Sequence, residues 1–176
     1  AGVLEKLVES IDAGKVTEAE LGGRKPREIR SRMHYFFACH WETKGDAAKR
    51  QEYLDKALKA DPADIDVLIA CYRLPEQTPE HRAKIVGLIK KAAAAIREEI
   101  AEVPESPAAY NQFAWLIGNT EGDFDEALKN SLKSLELKPD EGGFYDTLAH
   151  VYFAKGDLDN AVKQQTKAAE LEPHSG

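Results

Sequence analysis

The sequence predicts an all-α fold: an array of antiparallel helix pairs, about three to four repeats long, with one repeat degenerate and lengthened. Three observations predict it, namely a 34-residue internal repeat, apolar residues at helical spacing, and helix start and stop residues at the repeat joints. The stretch from Ala114 to Pro139 aligns with that from Leu148 to Pro173 at an offset of 34 residues throughout. Gly122-Asp123 falls on Gly156-Asp157, Ala127 on Ala161 and Leu137 on Leu171. A third copy ends at Pro62 with Gly45-Asp46 at its middle, each landmark 77 residues before its counterpart. That distance is one repeat of 34 residues and a stretch of 43, so a degenerate repeat nine residues longer must occupy roughly 63–106.

Segment 1–23 reads as a helical cap or the end of an upstream repeat. Val3, Leu4, Leu7, Val8 and Ile11 give a short helix within 1–22 one apolar side, and Thr17 with Glu20 has the spacing of a further helix start. Segment 24–62 is the first full repeat. Arg24, Lys25, Arg27, Arg30 and Arg32 crowd its beginning, where positive charge opposes the helix macrodipole at about 0.3–1 kcal/mol per charge. Pairing with Glu5, Glu9, Glu18 and Glu20 is the plain explanation of this cluster, and an acidic peptide or anionic surface the sharper one. In segment 63–106 the apolar stretch 64–73 is too short for an ordinary first helix and ends at Leu74-Pro75. Thr78-Pro79 then starts a helix of about 25 residues along the stripe Ile85, Ile89, Ala92, Ile96, Ile100 and Val103. Such a length is either a structural insertion or a protruding contact surface. Segments 107–140 and 141–176 are two further repeats. In the last one Tyr145, Leu148, Ala149 and Tyr152 share a helical face, Gly156 stops the helix and Asp157 caps the next. Asp123 and Glu126 have capping-box spacing. Pro139 and Pro173 close their repeats, because a residue without an amide proton cannot continue a helix.

These residues resemble the tetratricopeptide repeat. Its pattern of an aromatic, Leu-Gly or Leu-Ala, a Tyr, an Ala and a closing Pro is met by Tyr145, Leu148-Ala149, Tyr152, Ala161 and Pro173. Segment 107–140 departs at Asn111, where an aromatic is usual, and at Gly118, which replaces the Tyr. The copy at 31–62 keeps Phe37-Ala38, Trp41, Ala57 and Pro62, while Arg50 falls in a small-residue slot. The resemblance covers about 31–173 and implies a right-handed superhelical solenoid whose first helices line a concave face. With the packing stripe of His34, Phe37, Ala38 and Trp41 set aside, helical spacing leaves Arg32, Tyr35, Cys39 and Glu42 on that face in the first full repeat. Arg73, with Ile69, follows in the degenerate repeat, then Gln112, Leu116 and Asn119, and finally Asp146, His150 and Phe153. Apolar anchors mixed with amide and charged groups suit a peptide, which needs both affinity and register. Some members clamp a chaperone tail's carboxylate with Lys, Asn and Arg on this face; here Tyr35, Cys39, Leu116, Gly143 and Thr147 stand at those positions, so the clamp is absent.

Composition narrows the function further. The 176 residues are 43% apolar and 31% charged, which suffices for a core without disulfides or metals and is too apolar for a disordered tail. The net charge of −7 is uneven: residues 1–62 sum to +1, 63–103 to −1 and 104–176 to −7. A generic nucleic-acid binder is not expected, because phosphate neutralisation needs a positive face. No apolar run approaches the roughly 18–20 residues that cross a bilayer, so no membrane insertion is expected. Cys39 and Cys71 lie in apolar stretches outside any Cys-x-x-Cys pattern and read as two buried thiols, which favours a reducing, cytoplasmic compartment. Met33 is the sole methionine, so a removed signal segment, or excision from a longer chain, stays open. His34 and His40 fall on opposite sides of a helix, unlike the i, i+4 pair of a helical zinc site. Cys39 adjoins His40 in sequence, which does not aim the ring at the thiol. Neither G-x-S-x-G, a phosphate-binding glycine loop nor H-E-x-x-H occurs. The expectation is a non-enzymatic interaction module, with no cofactor and no metal, that holds a protein or peptide partner in its groove. Two alternatives remain: a homo-oligomeric scaffold joined through chain ends or the long helix, and a recruitment domain excised from a larger enzyme or regulator. Trp41 and Tyr152, at equivalent stripe positions, are expected to anchor the core.

Overall fold

The computed structural model describes residues 2–15 and 23–172; Thr17, Glu18, Glu20, Pro173 and the end 174–176 lie outside the described residues. The described residues form helices and no strand, in the order α1 (Gly2–Asp12), α2 (Pro26–Thr43), α3 (Ala47–Ala60), α4 (Ile65–Tyr72), α5 (Pro79–Glu102), α6 (Pro107–Gly118), α7 (Phe124–Leu137), α8 (Gly142–Ala154) and α9 (Leu158–Leu171). Two compact units divide the chain, Ala1–Leu88 and Ile89–Gly176, with the boundary inside α5. None of the described helices is long and apolar enough to cross a membrane.

In the first unit α2 packs antiparallel on α3, α1 rests on α2, and α3 meets α4. Pro26 opens α2 at a position where a missing amide proton costs nothing, and the Glu28 carboxylate accepts a hydrogen bond from the Lys25 amide at 3.2 Å. Gly45 turns the chain at φ +70°, a left-handed conformation that a Cβ would strain. Asp46 then starts α3 by accepting the Lys49 amide at 3.0 Å. Ala38, Leu54, Ala57, Val67, Leu68, Cys71 and Ile85 are buried and form the core. The helix expected within 1–22 ends earlier, at Asp12. The basic cluster pairs forward: Arg27 lies 3.6 Å from Asp61, Arg32 2.7 Å from Asp66, and Ser31 Oγ donates to Asp64 Oδ2 at 2.9 Å. These partners sit 33 or 34 residues on, about one repeat, so they tie the start of α2 to the start of α4. Arg50, in the small-residue slot, reaches sideways to Glu42 at 2.9 Å. Trp41 is only half-buried and takes the Lys49 ammonium over its face at 3.7 Å.

In the second unit α6 pairs with α7 and α8 with α9, and α8 packs on both α6 and α7. Asp123 accepts the amides of Asp125 and Glu126 at 2.9 and 3.0 Å, and Asp157 accepts that of Asn160 at 3.2 Å. The returning arm of the capping box does not form. Arg97 of α5 instead holds both oxygens of Glu126, at 2.8 and 2.6 Å, and a bidentate charged pair outcompetes a neutral amide. The same guanidinium lies over the Phe113 ring, 4.7 Å from its centroid. Phe113, Leu116 and Val151 are fully buried, whereas Tyr152, expected as an anchor, is half-buried. Gly118 permits a close crossing: a Cβ there would stand 2.8 Å from Val151 Cγ2. Long α5 begins as expected, with Thr78 Oγ1 accepting the His81 amide at 3.1 Å. Its stripe is buried from Ile85 through Ile96, half-buried at Ile100 and exposed at Val103.

Candidate interaction faces

The first-helix face of the first unit carries polar side chains in two groups, one around Arg32 and Tyr35 and one at Glu42. Arg32 is held by Asp66 and leans toward the Tyr35 ring, 5.8 Å from its centroid. Burial, with Cys39 and Asp66 adding to it, pushes the Tyr35 phenol well above its ordinary range, so it stays a neutral donor. Cys39 is half-buried beside Tyr35, and one turn further Glu42 pairs with Arg50. Arg73 is exposed at the end of α4. His40 is also exposed, its ring edge-on to Trp41 with centroids 5.3 Å apart. Cys71 is fully buried, and desolvation pushes its thiol up to about 12, which removes it from nucleophilic chemistry near neutral pH.

In the second unit the sequence-selected residues divide into two depths. Leu116 and Asn119 are buried, the Asn119 amide donating back to the Trp115 carbonyl at 2.9 Å, so they support the face from beneath. Gln112 on α6 is exposed. On α8, Asp146 Oδ1 accepts from Gln165 of α9 at 2.8 Å and its other oxygen lies 4.0 Å from His150 Nε2. Phe153, one turn beyond His150, is 67% exposed. Neither Gln112 nor Phe153 makes a side-chain hydrogen bond, ion pair or ring contact among the described residues. Trp115, which the sequence reading passed over, packs edge-on against His150 with centroids 5.0 Å apart. Its signal was available: it occupies the slot that Ala38 and Ala149 fill with a small side chain.

Neither face carries a nucleophile aimed at a base, and among the described residues no group of three or more His, Cys, Asp or Glu could hold a metal ion. What the faces offer is an apolar ring framed by donors and acceptors.

Residues 33–64 and 143–175 match the tetratricopeptide repeat family model, and these segments contain most of α2–α3 and of α8–α9. Neither reaches 107–140, where Asn111 and Gly118 depart from the pattern. No curated protein matches the chain. Among solved structures, a MamA protein is 24% identical over 82% of this chain and 92% of its own, with a TM-score of 0.41. MamA from Desulfovibrio magneticus is 15% identical over 99% and 96%, with a TM-score of 0.47. YrrB, described as a TPR protein with an unusual peptide-binding site, is 18% identical over 99% and 80%, with a TM-score of 0.47. With two segments matching the repeat model and antiparallel helix pairs joined by Gly-Asp hinges, the chain carries tetratricopeptide repeats.

Proposed function

We propose that the chain is a protein-interaction module that holds a segment of a partner protein against its first-helix faces and performs no catalytic chemistry. Phe153 carries this reading: a ring 67% exposed, on the same helical side as His150 and Asp146, gives a partner an apolar anchor within reach of polar groups that set register. The −7 balance of residues 104–176 favours a basic or neutral partner segment on the second unit. Exposed Arg24 and Lys25 favour an acidic portion on the first.

The test begins with cross-linking capture from the native cell and proceeds to titration of the captured protein. Phe153→Ala, His150→Ala and Tyr35→Ala should each weaken binding by about 1–2 kcal/mol, and added salt should weaken it moderately. Lys90→Ala with Lys91→Ala, on the exposed side of α5, is the control and should change nothing. Arg97 is unsuited to that purpose because it holds Glu126. A partner that ignores the face variants and is lost with the α5 variant would make the outer surface the working one.

A further inference from the structure

The α7–α8 junction within the second unit is a template for a contact that the peptide-face reading does not use. There α8 packs on α7, and Lys155, just past the end of α8, pairs with Asp125 at the start of α7, so the two helices run antiparallel. Thr147 and Val151 of α8 are buried, and Phe124 and Leu128 of α7 are half-buried. One repeat further on, Leu158, Asp159 and Val162 of α9 take the places of Phe124, Asp125 and Leu128. Here the apolar pair is open to solvent, Leu158 57% and Val162 67% exposed. Stepping 111 residues back from α8, Phe36, His40 and Lys44 take the places of Thr147, Val151 and Lys155. Phe36 is 52% exposed and His40 is exposed as well. Lys44 and Asp159, the counterparts of the paired Lys155 and Asp125, have no ion-pair partner among the described residues.

We propose that α9 of one copy docks on the C-terminal half of α2 of a second copy, with Leu158 and Val162 against Phe36 and His40, and Asp159 against Lys44. Charge supports the occupant. Residues 24–42 hold five basic against two acidic side chains, of which Arg27 and Arg32 pair with Asp61 and Asp66, and residues 157–172 hold four acidic against two basic. One pair differs from the template: the tight Gly118–Val151 contact becomes Tyr152 facing His40, which sets the helices further apart at that point. The two faces are different surfaces, so the contact is heterologous and propagates head to tail.

Sedimentation velocity over a wide concentration range tests this on the chain itself. The average mass of the wild type should rise with concentration above 19.5 kDa, and Val162→Glu should hold it at the monomer. Asp159→Lys should weaken association about three- to tenfold, and adding Lys44→Glu to the same chain should restore it. Val162→Glu mixed with Phe36→Asp should give a one-to-one complex and nothing larger, since each supplies the face the other lacks. Should circular dichroism show lost helicity in Phe36→Asp, Phe36→Ser replaces it in the mixture. Phe153→Ala should leave assembly unchanged, which separates this contact from the peptide face. A chain that stays monomeric at every concentration overturns the proposal. So does assembly undiminished by Val162→Glu, or variants that fail to combine on mixing.

Discussion

His34 and Asn111 hold the same repeat position, and in each a buried atom, Nδ1 of the imidazole and Oδ1 of the amide, lacks a hydrogen-bond partner among the described residues. At His34 burial, followed by the nearby Lys56 charge, lowers the pKa below its ordinary 6.5, and Tyr53 of α3 flanks the ring with centroids 6.1 Å apart. The unfolded chain therefore takes up this proton more readily than the folded one. Its contribution to stability is present above about pH 6.5 and is lost as pH falls from there toward the lower folded value. Urea midpoints at about pH 7.5 and about pH 5 should differ less in His34→Gln than in the wild type, which isolates His34 from the other histidines. An unchanged difference would mean that His34 does not sense the fold. The cysteines give a second residue-scale prediction. Cys39 should react with a thiol reagent in the folded protein, and Cys71, buried and pushed up to about 12, only on unfolding. Simultaneous labelling of both would contradict the packing of α4.

At the scale of elements, Phe113 is the largest fully buried side chain among the described residues, so Phe113→Ala should cost about 3–5 kcal/mol by denaturant titration. Trp41→Ala should cost less, because its ring is half-buried. Gly118→Ala should destabilise by about 1–3 kcal/mol despite alanine's helix propensity, since stiff Val151 stands 2.8 Å from the new Cβ. Val151→Ala in that background should recover part of the loss. Caps, hinges and the length of α5 were legible because each is decided by residues within a few positions: Asp123 and Asp157 accept the amides that their spacing places nearby, and α5 runs from the Thr78 cap along its stripe. That Glu126 does not close the capping box was not legible, because Arg97, which holds it, lies 29 residues away on another helix. The destination of the basic cluster was hidden for the same reason. Its partners Asp61 and Asp66 are local to α4 and remote from α2 in sequence.

At the scale of the whole molecule, helical spacing fixes the direction of a side chain and leaves its depth undecided. Direction put Tyr35, Gln112, Asp146, His150 and Phe153 on first-helix faces, while depth separated buried Leu116 and Asn119 from the half-buried or exposed remainder. Trp115 shows the converse case, a large ring in a small-residue slot that reaches His150 on the neighbouring first helix. Partner binding by those faces is the central proposal. The most direct measurement places a photoactivatable benzophenone side chain singly at position 153, 112 or 90 and records, in the native cell, which sites capture protein. Capture of the same partner at 153 and 112, with none at 90, is the predicted result. Capture at 90 on the outer side of α5, with 153 and 112 silent, would contradict it.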